Sequence, residues 1–178
     1  GFVMGAFNQL HKIDPGIWRT WMQAMKRVEN SHIWMIRIHS RDPEMNLRRE
    51  AEALGVQGSR IHVTQGYNEK EHLFVKAAAD IFLDTPSYNA HSSGCDVLWA
   101  GLPILTLAGD KMASRVAASL VTSIGCAATI ARTEGEYADL AVALGSNSEA
   151  LKDTRECVRK GKVSRSLFDT KAWVKHQE

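Results

Sequence analysis

Residues 80–109 read DIFLDTPSYNAHSSGCDVLWAGLPILTLAG, and the fold turns on how this stretch is parsed. A short apolar run, Ile81 to Leu83, precedes a polar loop from Asp84 to His91. A helical segment follows from Ser92 to Ala100, broken by Gly101-Leu102-Pro103 ahead of a second apolar run, Ile104 to Leu107. Two apolar strands joined through a helix form a βαβ crossover. Its strands lie parallel, and the connection is right-handed.

Working outward, the same alternation extends to both ends. Upstream, Phe2 to Phe7 reads as a first strand, followed by the loop Asn8 to Lys12. Asp14 is placed to cap a helix with Pro15 at its first position. Trp18, Trp21, Met22, Met25 and Val28 recur at helical spacing and mark its buried stripe, so the two tryptophans read as core, not as a ligand platform. Ile33 to Ile38 is apolar at nearly every position, which predicts a central strand. Asp42 and Pro43 open a helix that runs to Leu54 and stops at Gly55. Arg60 to Thr64 is a third strand, and Lys70 to Ala79 a helix before Ile81. Downstream, a helix is predicted from Met112 to Ile124, then a short strand from Ala128 to Ala131. Thr133 and Glu136 form a capping box for a helix to Leu144. Asn147 to about Lys162 is helical, and Asp169 starts a terminal helix. The pattern predicts an α/β fold with a Rossmann-like parallel sheet flanked by helices.

Composition agrees with one folded domain. The 178 residues are 44% hydrophobic and 24% charged, which is enough to build a core. Twenty-two basic and 20 acidic side chains leave a formal charge of +2, which argues against a nucleic-acid partner. The basic run from Arg155 to Arg165 lies in a helical pattern and reads as a solvated face. Cys95, Cys126 and Cys157 are odd in number and widely spaced. They define neither a disulfide framework nor a zinc pattern, and a reducing compartment is expected. No apolar run approaches the roughly 18 residues that span a bilayer, so no membrane partner is expected. GFVMGAFNQL lacks the features of a signal peptide and opens on a strand, as at a domain boundary.

In open parallel sheets, ligands bind beyond the carboxyl ends of the strands. That rule selects the loops Asn8 to Lys12, Gln65 to Glu69 and Asp84 to Ser93. The absence of G-x-G-x-x-G and of G-x-x-x-x-G-K-[ST] argues against a nicotinamide dehydrogenase and a P-loop enzyme. In HSSGCDVLWAG, Ser92 and Ser93 stand at a helix start, with Gly94 expected to keep the backbone accessible. Such a terminus binds anions, although the serines could equally be mere helix caps. Asp96, one turn in, could cap or bond a ribose. Lys12 is expected at the same edge of the sheet, where its ammonium can donate to phosphate oxygens.

At these residues the chain resembles a known family. FNQLHKIDP (Phe7 to Pro15), the 80–109 stretch, ASRVAASL (Ala113 to Leu120) and SLFDTKAW (Ser166 to Trp173) closely resemble the eukaryotic O-GlcNAc transferases. The resemblance runs over nearly the whole chain but covers only that family's second catalytic lobe. It implies the nucleotide-sugar-binding lobe of a GT-B fold. The implied enzyme is inverting and metal-independent, has no cofactor, and moves N-acetylglucosamine from UDP-GlcNAc to protein Ser or Thr. Gln9 and Lys12 would contact the diphosphate, with Lys12 the catalytic cation. Gly66 and Tyr67 would read the uracil, with His72 nearby. His91, Ser92 and Ser93 would hold diphosphate and sugar, and Asp96 the ribose. Residues 1–165 would form the lobe, with 166–178 a C-terminal helix packing toward a first lobe. That first lobe and a repeat domain would be further partners, and cytoplasm and nucleus the location.

The chain departs from the family at Glu69, where a lysine is usual, at Leu73-Phe74-Val75, where arginines are usual, and at His11, where an aromatic residue is usual. These changes fall mainly on the base-recognition loop and leave the diphosphate cradle intact. Two alternatives stand beside the transferase reading. One is a GDP-sugar lobe like that of protein O-fucosyltransferases, and the other a non-catalytic nucleotide-binding module.

Overall fold

Helix α1 (Pro15–Arg27) begins as its sequence dictates. The Asp14 carboxylate accepts from the Gly16 and Ile17 amides at 2.8 and 3.0 Å, and Pro15 occupies the first turn. Its apolar stripe is buried, and Trp18 and Trp21 meet edge to face with ring centroids 6.0 Å apart. The tryptophan pair is therefore core. The computed structural model describes residues 1–37, 42–66, 68 and 71–175.

The strands are β1 (Phe2–Ala6), β2 (Ser31–Arg37), β3 (Ile61–Gln65), β4 (Ile81–Leu83), β5 (Ile104–Leu107) and β6 (Ile130–Ala131). Every pairing is parallel, and the order is β3-β2-β1-β4-β5-β6. The remaining helices are α2 (Asp42–Ala53), α3 (His72–Lys76), α4 (Ser92–Trp99), α5 (Val116–Ser123), α6 (Glu134–Ser146), α7 (Ser148–Ser164) and α8 (Thr170–Lys175). One sheet face packs Met4, Ile33 and Ile81 against α1, α2 and α6. The other packs Phe82 and Ile104 against α4, α5 and α7. The expected doubly covered sheet is present, and β2 lies inside it.

Several boundaries differ from expectation for local reasons. The helix predicted from Lys70 to Ala79 is only His72–Lys76, and Lys70 lies outside the described residues. The helix predicted from Met112 splits into a 3-10 turn at Met112–Ser114 and then α5. Ser114 causes the break: its hydroxyl donates to the Lys111 carbonyl at 2.8 Å and accepts the Lys111 amide at 3.1 Å. Such local bonds compete with helix propagation. At α6 the Thr133 hydroxyl accepts the Glu136 amide at 3.1 Å, while Glu136 reaches back one residue further than expected, to the Arg132 amide.

One expectation fails outright. Cys126 and Cys157 form a disulfide, with Cα atoms 5.9 Å apart and a sequence separation of 31. Sequence spacing could not show this, because tertiary packing brings α7 back across the turn at Ile124 to Cys126. The basic run on α7 is mostly solvated, as predicted. Arg155 and Lys162 are exceptions: Arg155 donates to the Ala79 carbonyl at 2.6 Å and pairs with Asp80 at 3.1 Å, and Lys162 donates to the Trp99 carbonyl at 2.8 Å. Beyond α7, Leu167 and Phe168 pack against the second core, and the Phe168 ring meets Trp99 at 5.2 Å.

Candidate functional site

Strand order decides which loops meet. The chain winds from β1 outward to β3, then crosses back to β4 on the other side of β1. Ligands in such sheets bind at this reversal, where adjacent loops diverge to opposite faces. The loops after β1 and β4 therefore come together, whereas the loop after β3 stands two strands, or about 10 Å, away.

At the reversal, a cleft of about 550 Å³ is lined by Gln9, His11, Lys12, Tyr88, Ser92 and Ser93, with Phe7 and Asn8 behind them. Lys12 ends a 3-10 turn, Leu10–Lys12, and its ammonium donates to the Asn89 carbonyl at 3.2 Å. It also sits 4.0 Å from the centre of the Tyr88 ring. Burial holds the Lys12 pKa below the ordinary lysine range, with the negative charge of Asp84 pulling the other way. The cleft thus offers a partly desolvated cation, which interacts with an anion more strongly than a solvated one does.

Helix α4 supplies the facing wall. Its N-cap is His91, with no side-chain cap, so the reading of Ser92 and Ser93 as mere caps does not hold. The Gly94 and Cys95 amides turn inward to the His91 carbonyl at 2.9 and 3.2 Å. The donors facing the cleft are therefore at Ser92 and Ser93. Gly94 differs from expectation. It is buried, and a Cβ there would meet Leu120 Cδ1 at 2.9 Å, so it serves helix packing rather than ligand approach. The His91 ring stacks on Tyr88 at 4.8 Å and 18°, with Nε2 3.3 Å from the Ala113 carbonyl.

A buried polar frame fixes this loop. The Asp84 carboxylate accepts from the Ala90 amide at 2.7 Å, the Thr106 hydroxyl at 2.8 Å and the Asn8 side-chain amide at 3.1 Å. Burial nevertheless pushes its pKa up to about 6. Asn89 donates to the Thr85 carbonyl at 3.1 Å and accepts the Ala117 amide at 3.2 Å. The Tyr137 hydroxyl donates to the Asp84 carbonyl at 3.0 Å. The sequence reading singled out none of Asn8, Asp84, Tyr88 or Asn89. Their signal was an unusual density of polar side chains immediately after two apolar strands.

The remaining sequence candidates are more dispersed. The Asp96 carboxylate accepts from Lys76 Nζ at 3.1 Å, which ties α4 to the end of α3. Gly66 is exposed at the end of β3, and His72 begins α3. Tyr67 and Glu69 lie outside the described residues. The structure thus brings Gln9, Lys12, Ser92 and Ser93 into one cleft with His91 at its edge, and sets Gly66, His72 and Asp96 apart from it.

Known proteins resemble this chain in sequence and in fold. The sequence profile of Glycosyl transferase family 41 matches residues 1–177. The chain is 42% identical over 178 residues to the probable UDP-N-acetylglucosamine–peptide N-acetylglucosaminyltransferase SEC of Arabidopsis thaliana, covering 99% of this chain and 18% of that protein. It is 35% identical over 172 residues to the Caenorhabditis elegans UDP-N-acetylglucosamine–peptide N-acetylglucosaminyltransferase, covering 97% of this chain and 15% of the relative. A variant of the Thermobaculum terrenum O-GlcNAc transferase superposes with a TM-score of 0.88 at 29% identity, over 94% of this chain and 33% of the other. Anabaena HepE, solved with UDP and glucose, shares the fold at a TM-score of 0.64 and 11% identity. The chain spans less than a fifth of the two curated relatives named here. With a parallel sheet of GT-B type, and with Lys12 and the start of α4 at its reversal point, this chain belongs to glycosyl transferase family 41.

Proposed function

We propose that this chain is the donor-binding half of a UDP-N-acetylglucosamine:protein O-GlcNAc transferase that glycosylates Ser or Thr with inversion. The observation that carries the reading is the convergence of the Lys12 ammonium and the uncapped start of α4 on one cleft at the strand-order reversal. Both are donors to anionic oxygen, and they stand on separate elements as two arms of a diphosphate would require.

In the transfer, the acceptor hydroxyl gives up its proton to a base of the complete enzyme or of the donor phosphate and attacks the anomeric carbon, while the bond from that carbon to the diphosphate oxygen breaks. Negative charge grows on the leaving UDP as that bond lengthens. Lys12 and the Ser92 and Ser93 donors then bond more strongly than in the ground state, which is the condition for catalysis. The positive charge comes from the chain itself, consistent with a reaction that needs no resident metal. Gln9 stands beside Lys12 as a second diphosphate ligand. Gly66, Tyr67 and His72 would take the uracil, and Asp96 the ribose. A protein acceptor, a first catalytic lobe and a repeat domain complete the proposed partners.

Isothermal titration of this chain with UDP and with GDP tests the reading. UDP is expected to bind, and to bind tighter than GDP. Tighter GDP binding would point to a GDP-sugar lobe, and no binding of either nucleotide would overturn the donor-site assignment.

A further inference from the structure

We infer that Tyr88 is a positioning residue of the donor site, an aromatic shelf that holds the Lys12 ammonium and the His91 ring in their working places. The inference rests on the diphosphate reading above and adds to it a residue outside the sequence candidates.

Three contacts converge on this side chain and its neighbour. The Lys12 ammonium lies 4.0 Å from the Tyr88 ring centre, within cation–π range. The His91 imidazole stacks on the same ring at 4.8 Å, 18° from coplanar. The Asn89 carbonyl accepts from the Lys12 ammonium at 3.2 Å, so consecutive residues grip one cation. The grip is rigid because the backbone beneath it is pinned. The Thr85 hydroxyl donates to the Tyr88 carbonyl at 2.7 Å, and the buried Asn89 side chain is bonded at both ends.

A free lysine has four rotatable bonds and loses much rotamer freedom on binding an anion. A lysine already parked on a ring and a carbonyl has lost part of it beforehand, so the bound diphosphate costs less ordering. Ring and carbonyl are also neutral ligands, which an anion outcompetes without having to displace a carboxylate. The shelf therefore holds the cation ready without quenching it. A solvent-facing tyrosine with no such role is the competing account, since Tyr88 is 45% exposed.

Two variants, Tyr88→Phe and Tyr88→Leu, separate these accounts by NMR and calorimetry on this chain. A ring over the ammonium shifts the Lys12 Hε protons upfield. The shift is expected in the unmodified chain and in Tyr88→Phe, and lost in Tyr88→Leu. UDP affinity should stay within about twofold in Tyr88→Phe and fall about three- to tenfold in Tyr88→Leu, with matching thermal midpoints showing intact folding. Absence of the upfield shift in the unmodified chain would remove the shelf whatever the nucleotide does. UDP affinity that is unchanged or tighter in Tyr88→Leu would remove its positioning role. A shift without any UDP binding would instead remove the diphosphate reading, and the functional half of this inference with it.

Discussion

Asn8 donates its side-chain amide to the buried Asp84 carboxylate at 3.1 Å, fastening the end of β1 to the end of β4 beneath the cleft. The same amide reaches the Thr85 hydroxyl at 2.8 Å. The floor of the site is thus a polar frame that spans the strand-order reversal and ties the loop after β1 to the loop after β4.

Asp84 makes that frame pH-dependent. Its folded pKa is raised to about 6 from an ordinary 3.8, mainly by burial. The folded state therefore binds more protons than the unfolded state between about pH 4 and pH 6, and stability falls as pH rises through that window. The contribution is on the order of 3 kcal/mol. Chemical unfolding at a series of pH values should show the decline, and Asp84→Asn should flatten it. A slope unchanged by that substitution would disprove the assignment.

Lys12→Ala should weaken UDP binding by roughly ten- to a hundredfold, as expected for loss of a charge-assisted bond. The fold should survive, because the side chain is only half-buried and its partners are a carbonyl and a ring. Titration calorimetry with a parallel thermal melt reads both. In a protein that carries out the full transfer, the same change should lower kcat by about two to three orders of magnitude.

Gly161 is where α7 crosses the turn after α5. A Cβ there would collide with the Ile124 carbonyl oxygen and crowd the Ile124 side chain. Backbone cannot yield as a flexible side chain can, so Gly161→Ala should destabilise by about 2 kcal/mol or more. Denaturant melts check this. UDP affinity of the folded fraction should not change, since none of the cleft residues lies on α7.

The Cys126–Cys157 disulfide should leave one titratable thiol, Cys95, in the oxidised chain, and three after unfolding and reduction. Closing a loop of this length stabilises by about 4 kcal/mol, so a reducing agent should lower the melting temperature by several degrees. If the chain works in cytoplasm and nucleus, as its resemblance suggests, glutathione would hold the pair as thiols and the lower stability would be the relevant one. Three accessible thiols in unreduced, denatured chain would show that the bond does not form.

Local chemistry determined much of this protein before any folding. Asp14 with Pro15, Thr133, and Asn147 cap their helices because each bonds amides within three residues, and such bonds are written in consecutive sequence. The apolar runs Ile81–Leu83 and Ile104–Leu107 became β4 and β5 with the predicted bounds because a buried strand needs only continuous apolar character. Strand–loop–helix order placed Lys12 and HSSGCD at one edge of the sheet, and the structure sets Lys12, Ser92 and Ser93 on one cleft there. The partnerships were not legible. Asn8 with Asp84, Lys12 with Tyr88, and Cys126 with Cys157 join residues 31 to 76 positions apart. Gly94 looked like an open approach to a ligand and proved to be a packing contact with Leu120. Such pairs depend on which strands lie side by side and how helices dock across them. Only the tertiary structure decides that, because it follows from the burial of two whole sheet faces and not from any short run of residues.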